Sequence, residues 1–349
     1  MSTDERKPIE PIDALRRIAF LLERTRGQTR RVEAFRRAAA TVLRTPAQEL
    51  AQRARAGTIT DLPAIGASTG KVIEQAFAGQ RPDYLVDLER SGAAGPLVEG
   101  GEGLLAQLRG DLHSHSDWSD GGSPIEEMVA TAMELGRDYL ALTDHSRGLR
   151  VANGLSPQRL EQQLAVVAAI DAHLADGPFT LLSGIEVDIL DDGTLDQEPE
   201  LLERLDVVVA SVHSALRSPA DVMTARMLGA VRNPRTNVLG HCTGRLVEGH
   251  RGTRPPSAFD ARAVFEACAA HDVAVEINSR PERCDPPDEL ITLALELGCL
   301  FSIDTDAHAP GQLDFLAYGA ARAQRLGVPP QRIVTTWPRD DLLAWTGRR

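Results

Sequence analysis

From residue 110 onward, the sequence alternates short apolar runs, rich in β-branched residues, with longer segments of helical period. After a first run that ends near His115, the apolar runs are DYLALTD (138–144), FTLLSGIEVDIL (179–190), LDVVVASVH (205–213), NVLGH (237–241), VAVEIN (273–278) and CLFSIDTD (299–306). Segments such as SPIEEMVATAMELG and SPQRLEQQLAVVAAIDAHLA separate them. This alternation predicts a parallel sheet, and over about 230 residues a closed α/β barrel is the simplest arrangement.

Polar residues that bind metals occur where the predicted strands end. In GDLHSHSDWSDGG (110–122) the two histidines are separated by one residue, so on an extended chain both side chains point the same way. DTDAH (304–308) repeats this spacing with an aspartate and a histidine. The full set is His113, His115, Asp120, His145, Glu186, His213, His241, Asp306 and His308. Since the carboxyl ends of barrel strands share one rim, we expect these side chains to converge there.

The number of these polar residues argues for a metal centre. A lone histidine at a strand end is more often a hydrogen-bonded structural residue, and we interpret His173, His250 and His271, which lie away from the rim, in that way. Nine buried imidazoles and carboxylates without a cation would leave many polar groups unpaired. Nitrogen and oxygen ligands without a thiolate suit two or three divalent ions such as Zn²⁺, Mn²⁺ or Fe²⁺.

The cysteines and the apolar runs bear on where the chain works. The four cysteines are far apart and form no CxxC pair, which predicts a reduced, cytoplasmic protein without disulfides or a thiolate zinc site. No apolar run approaches the ~20 residues that span a bilayer, and the amino terminus lacks the apolar segment of a secretory signal. We expect no membrane partner, and nothing in the sequence indicates an obligate protein partner.

Residues 1–90 read as a separate helical domain, followed by a glycine-rich linker at 91–109 and the barrel at 110–349. Residues 1–80 hold 14 Lys and Arg against 9 Asp and Glu, whereas the remainder holds 24 against 41. The arginine-rich stretch 24–37 suits a DNA backbone, and a solvated helix face is the alternative. The turn in ITDLPAIGASTGKVIEQAFAG opens into a helix that could present backbone amides to a DNA phosphate, at Gly66, Gly70 and Lys71.

These motifs resemble those of the polymerase-and-histidinol-phosphatase (PHP) family of metal-dependent phosphoesterases. The similarity covers residues 110 to about 335 and follows DLHSHSDWSDG, LTDHS, GIEVDI, SVHS, GHCTGR, EINSRPER and SIDTDAH in order. More specifically, the sequence resembles the carboxyl-terminal PHP domain of bacterial family X DNA polymerases, and this similarity extends through LRVANGLSP and LDFLAYGAARAQRLGV. Residues 10–90, here called the head, resemble the amino-terminal helix-hairpin-helix domain of the same polymerases.

The resemblance implies a distorted, TIM-like barrel of about seven strands with three metal ions. The first ion would be held by His113, His115, Glu186 and Asp306. Glu186 would bridge to a second ion on His213 and His241, and a third would lie on Asp120, His145 and His308. Apart from the resemblance, Asn278, within EINSRPER, is a further candidate for substrate binding.

The sequence departs from the family pattern in three places. The polymerase palm is missing, because the linker cannot contain it, so we do not expect polymerase activity. Ala64 replaces the usual hairpin glycine, which predicts a conventional right-handed backbone there and weaker DNA binding. Cys242 replaces the proline usual after His241, and we interpret this as a packing change.

The expected reaction is hydrolysis of a phosphate ester by a metal-activated water, with Glu186 and Asp306 at its centre. Asp144 either takes part in proton transfer and ligand orientation or caps the following loop. Arg245 and Arg280 are the strongest candidates for phosphate binding, followed by Arg147, with Arg150 and Arg283 further back.

The sequence leaves three functions open. The first is a DNA-directed phosphoesterase of repair, either a 3′→5′ exonuclease or a phosphatase acting on 3′ ends. The second is a phosphatase acting on a small molecule such as histidinol phosphate or a nucleotide. The third is a non-catalytic DNA-binding or scaffold protein with structural metals.

Overall fold

The computed structural model describes residues 8–249 and 252–347. The chain forms two compact units, one of Met1–Pro96 with Pro310–Gln312 and one of Leu97–Ala309 with Leu313–Arg349. The predicted linker at 91–109 contains a short helix and is divided between the units at Pro96. The limits that we placed at residues 90 and 110 therefore stay predictions.

The first unit is helical, as the sequence predicted. Its helices are α1 (Pro11–Arg24), α2 (Thr29–Arg44), α3 (Ala47–Ala56), α4 (Ala67–Phe77) and α5 (Asp83–Arg90). Helix α1 starts with a proline, whose fixed φ and missing amide hydrogen suit the first helical position. The apolar face at 3.6-residue spacing, including Leu15, Ile18 and Leu22, is buried in a core shared with Phe35 and Ile73.

The hairpin before α4 corrects one expectation. Ala64 has a φ of 60°, in the left-handed region, and not the right-handed backbone that we predicted. The turn between Leu62 and Gly66 requires this geometry, so the backbone adopts it although alanine carries a Cβ. The turn thus forms here at a conformational cost to Ala64.

Ala64→Gly is expected to stabilise the first unit by about 0.5–1 kcal/mol. The left-handed conformation costs an L-residue ~1–2 kcal/mol, and the greater freedom of glycine in the unfolded chain offsets part of the gain. Slower hydrogen–deuterium exchange in residues 59–77 would show it. Ala51→Gly, within right-handed α3, is the matched control and should destabilise. Equal losses in both variants would contradict the prediction.

The second unit is a barrel of seven parallel strands, which confirms the predicted fold class. The strands are β1 (Gly110–Ser114), β2 (Tyr139–Leu142), β3 (Thr180–Asp188), β4 (Val207–Ser211), β5 (Val238–Leu239), β6 (Ala274–Asn278) and β7 (Leu300–Asp304). They pair in sequence order, all in parallel. A bridge between Ser114 and Ala307 and a 2.8 Å bond from His115 N to Ala307 O bring the first strand beside the last.

Helices and loops connect the strands. The helices are α6 (Glu102–Leu105), α7 (Ile125–Glu134), α8 (Pro157–Leu174), α9 (Pro199–Leu202), α10 (Ala220–Val231), α11 (Ala261–Ala270), α12 (Asp288–Glu296), α13 (Leu316–Arg325) and α14 (Arg339–Thr346). Within the described residues, none of the helices has the length and hydropathy needed to span a membrane.

Two features of the barrel position the candidate site. Asp111 pairs with Leu140 and Ser114 with Leu142, so β1 carries one extra residue there. Such a bulge redirects the side chains within and after it; His113 lies within it and His115 follows it. Below them, alternate strand residues and the carboxyl-terminal Trp345 form a buried apolar floor. The polar residues therefore lie at the carboxyl ends of the strands.

Candidate metal centre

The nine predicted ligands converge at the mouth of the barrel. In four groups, one nitrogen or oxygen from each residue lies within 4.8 Å of those of the others. The groups are His115, Asp120, His145 and His308; His113, His115 and Asp306; His113, Glu186 and His241; and His145, Glu186 and His213. Every predicted ligand belongs to at least one group. His213 and His241, which the resemblance assigned to one ion, fall in separate groups that share Glu186.

Glu186, on β3, lies at the centre of the cluster. Its Oε1 is 2.9 Å from His241 Nε2 and 3.2 Å from His213 Nε2. Its Oε2 is 2.8 Å from His145 Nδ1 and 3.3 Å from His113 Nε2. The two carboxylate oxygens thus face different imidazoles, which is the arrangement needed to bridge two ions.

The other carboxylates complete the cluster at its edges. Asp306 Oδ1 is 3.4 Å from His115 Nε2 and 3.5 Å from His308 Nδ1. Asp120 Oδ1 is 3.3 Å from His308 Nε2 and 3.5 Å from His145 Nε2. These separations suit shared cations, because ligands about 2.0–2.1 Å from zinc lie about 3.0–3.4 Å from each other.

The unpaired atoms show that the residues fit metal ions. Within the described part of the chain, several buried atoms at the mouth make no hydrogen bond: His113 Nε2, His115 Nδ1 and Nε2, His145 Nδ1, Glu186 Oε2, His213 Nε2 and His241 Nδ1. Buried polar atoms are seldom left without a hydrogen bond in native proteins. A group of seven such atoms in one place therefore indicates a site for cations. Their oxygen and nitrogen chemistry suits Zn²⁺, Mn²⁺ or Fe²⁺.

The electrostatics favour the metal-binding forms of Glu186 and His115, whereas, against the effect of burial, the charge of Glu186 raises the pKa values of His113 and His213. Burial disfavours the charge of Glu186, but the imidazoles of His113, His145 and His213 hold its pKa well below the usual range. Burial also lowers the pKa of His115, and the neighbouring imidazoles of His308 and His145 add to this effect. An ionised carboxylate and a neutral imidazole are the forms that bind metal.

Two supporting acids were missed in the sequence. Glu276 on β6 accepts from His241 N at 2.5 Å, and its Oε1 is 2.6 Å from His113 Nδ1. Asp188 Oδ1 is 2.5 Å from His213 Nδ1. Such partners fix the tautomer and orientation of a ligand imidazole. The signals were an acid inside an apolar strand, for Glu276, and the i, i+2 spacing from Glu186, for Asp188.

The carboxylate of Asp144 supports a loop, and its hydrogen bonds are with residues outside the cluster. Its carboxylate accepts from Ser116 N at 2.8 Å, Ser116 Oγ at 2.6 Å, Ser119 Oγ at 2.5 Å and Gln163 Nε2 at 2.6 Å. Burial raises the pKa of Asp144, and these donors offset part of the rise. These contacts fix the loop that carries Asp120, and the catalytic role of Asp144 stays a prediction.

Among the arginines near the rim, Arg245 is held by loop carbonyls, whereas Arg280 and Arg283 contact candidate ligands. Arg245 donates through Nε to the carbonyls of Arg283 and Cys284, both at 3.1 Å, and its binding of phosphate stays a prediction. Arg280 lies at the mouth, with Nη1 2.9 Å from Asp306 O and 3.0 Å from His308 Nδ1. Arg283, predicted to lie further back, contacts Asp306 Oδ2 at 2.8 Å.

The remaining predicted substrate residues have structural partners or lie on the surface. Asn278 is fully buried and donates to Glu276 Oε2 at 3.2 Å and to the candidate ligand Asp306 at 3.4 Å, so it lies beside the cluster. Arg147 Nε donates to Asp196 O at 3.1 Å, and Arg150 is exposed on the turn that follows.

The predicted DNA contacts of the head and the off-rim histidines also have places in the structure. Gly66 precedes α4, and a Cβ on Gly70 would lie 2.9 Å from Thr60, so packing alone explains that glycine. Lys71 forms an exposed 2.8 Å ion pair with Asp83. Of the histidines set aside, His173 and His271 are exposed, and His250 lies outside the described residues.

The barrel and the helical unit each match a known domain family. Residues 111–280 match the model of the PHP domain, and these residues include seven of the nine predicted ligands, Asp306 and His308 excepted. The barrel is a PHP domain. Residues 9–81 match a helix-hairpin-helix domain. The resemblance that the motifs indicated is therefore confirmed for both parts of the chain.

The chain is similar both to a DNA polymerase with exonuclease activity in its name and to probable phosphatases. The DNA polymerase/3′-5′ exonuclease PolX of Bacillus subtilis is 39% identical over 221 residues, which cover 63% of this chain and 38% of that protein. The chain thus spans well under half the length of that relative. A probable phosphatase of Caldicellulosiruptor saccharolyticus is 27% identical over 210 residues, 58% of this chain and 80% of that one.

Among solved structures, histidinol phosphate phosphatase of Lactococcus lactis matches with a TM-score of 0.47 and 20% identity. That structure holds zinc, L-histidinol and phosphate, and the match covers 63% of this chain and 94% of that one.

Proposed function

We propose that this protein hydrolyses phosphate esters at DNA ends, as a 3′→5′ exonuclease or a 3′-end phosphatase. The observation that carries the proposal is the convergence of nine imidazole and carboxylate side chains around Glu186. Divalent ions held there would supply the acidity that activates a water and the positive charge that offsets charge on phosphoryl oxygens. DNA as substrate is supported by the helix-hairpin-helix match and by the exonuclease among the relatives.

The chain's own residues have three tasks in this reaction. The nine candidate ligands would hold two or three divalent ions, and Glu186 belongs to two of the groups that would do so. Glu276 and Asp188 keep the imidazoles of His113 and His213 in the tautomer that binds metal. Arg280 places its guanidinium beside Asp306 and His308, where it orients the phosphoryl group.

A small-molecule phosphatase is the second candidate. It is supported by the probable phosphatases among the relatives, of which this chain covers the greater part. In that case the head would not contribute to catalysis.

A substrate panel on metal-analysed protein separates the two candidates. The substrates are a single-stranded oligonucleotide with a 3′ hydroxyl, the same oligonucleotide with a 3′ phosphate, and histidinol phosphate. We expect turnover of at least one oligonucleotide, with a KM that rises with salt because phosphate contacts release counterions. His113→Ala is the control for contaminating activity. Turnover of histidinol phosphate alone would replace the proposal with the second candidate.

Arg280 and Arg245 form a matched pair for testing the phosphate contact. Arg280→Gln is expected to lower kcat/KM about thirtyfold, or about 2 kcal/mol, because a hydrogen bond to a charged group is lost. Arg245→Gln should lower the Tm with a smaller effect on kcat/KM, since its side chain donates to loop carbonyls. Steady-state kinetics and thermal melting measure both effects. The reverse order of the two kcat/KM losses would contradict this assignment.

A further inference from the structure

The turn formed by residues 147–153, here called the rim turn, carries an unusual side chain. Val151 is 94% exposed, and the next most exposed large apolar residue among the described residues, Leu43, is 65% exposed. Single exposed valines are common on protein surfaces. The position and the anchoring of this turn therefore decide whether Val151 has a role.

The rim turn lies beside one edge of the metal cluster. It begins two residues after His145, and the chain returns to that ligand where Leu155 N donates to His145 O at 2.7 Å. Asn153 Nδ2 donates to Trp118 O at 3.3 Å. Trp118 precedes the candidate ligand Asp120 by two residues. The turn is thus fastened to the two chain segments that supply His145 and Asp120.

The turn is also held in one conformation. Gly148 N donates to Asp196 Oδ2 at 2.6 Å, and a Cβ on Gly148 would lie 2.5 Å from that oxygen. A Cβ on Gly154 would lie 1.8 Å from Ser146 O. Arg159, at the start of α8, donates to the carbonyls of the turn and of the neighbouring loop. The fold therefore fixes an apolar side chain in solvent without covering it.

We propose that Val151 is a specificity-determining residue that packs against the base of a nucleotide beside the scissile phosphate. This inference rests on the proposed action on DNA. An apolar group at the rim gains free energy only from a substrate that extends beyond its phosphate and presents an apolar face. Arg150, exposed next to it, supplies a positive charge suited to an adjoining phosphate of the same strand. A nucleic-acid strand offers both groups.

The test compares two oligonucleotides that differ only in their 3′-terminal nucleotide, which either carries a base or is an abasic tetrahydrofuran analogue. Val151→Ser is expected to raise KM about fivefold on the oligonucleotide with the base, with kcat changed less than twofold, because little more than an apolar contact is lost. KM on the abasic oligonucleotide should stay unchanged. Val151→Leu, which keeps an apolar side chain at this position, should have the KM of the wild type. Val222→Ser replaces an exposed valine of α10 and is the matched control, which should also leave the KM unchanged.

The outcomes separate this inference from the proposed function. An unchanged KM for Val151→Ser on a cleaved oligonucleotide overturns the inference and leaves the proposed function intact. So does an equal rise on both oligonucleotides, or the same rise in Val222→Ser. If the wild-type protein hydrolyses histidinol phosphate and neither oligonucleotide, the action on DNA fails, and the role of Val151 fails with it.

Discussion

Glu186→Gln is expected to lower kcat/KM for phosphate-ester hydrolysis about a thousandfold, or about 4 kcal/mol, and to reduce the metal content of the purified protein. The substitution keeps the shape of the side chain but removes its negative charge. It also turns one acceptor oxygen into a donor, although both oxygens lie within 3.3 Å of imidazole nitrogens. Since Glu186 belongs to two of the four groups, one change weakens both.

Elemental analysis and kinetics on the same preparation measure this effect. Glu200→Gln, an exposed glutamate of α9 in the same barrel, is the control and should leave both quantities unchanged. A Glu186→Gln protein with full metal content and full activity would exclude this carboxylate as a bridging ligand.

Glu276→Gln is expected to weaken metal binding about 10- to 100-fold, although Glu276 is not a candidate ligand. Its two oxygens accept from His241 N and Asn278 Nδ2 and contact His113 Nδ1. An amide at this position directs its own donor at one of these donors and leaves a buried group unsatisfied, which also costs about 1–3 kcal/mol of stability. Competition with a chromophoric chelator gives the affinity, and thermal melting in chelator gives the stability.

Asp188→Asn is the matched variant for this prediction. Its carboxylate supports one imidazole, that of His213, whereas Glu276 contacts His113 and the backbone of His241. Asp188 is also closer to the protein surface than the fully buried Glu276. The loss of metal affinity should therefore be smaller for Asp188→Asn. Equal affinity in the wild-type and Glu276→Gln proteins would mean that the imidazole of His113 is oriented by packing alone.

The barrel and the convergence at its mouth were predictable because they depend on local rules. Alternation of apolar runs and helical segments defines parallel strands, and side chains alternate along each strand. The carboxyl ends of such strands meet at one rim, so polar residues at those ends come together whatever their distance in sequence. His113 with His115 and Asp306 with His308 are the clearest cases, since each pair lies on one short segment.

The conformation of Ala64 and the contacts of Asp144 and Arg245 were not predictable, because each depends on partners that sequence spacing does not reveal. The hairpin around Ala64 imposes a left-handed φ that alanine alone disfavours. Asp144 sits among ligands in the sequence, yet its acceptors are satisfied by Ser116, Ser119 and Gln163. Arg245 follows a ligand motif closely, but loop carbonyls occupy its guanidinium.

By itself, the sequence determined which side chains reach the barrel mouth, because strand periodicity and parallel topology set the direction of every residue at a strand end. Only the tertiary structure decided how those side chains are supported. The partner of His113 is Glu276, 163 positions away, and nothing local pairs the two. A hydrogen bond depends on the donor–acceptor distance to within fractions of an ångström and on the angle at the hydrogen. Both are fixed only when the helices and loops have packed around the closed sheet.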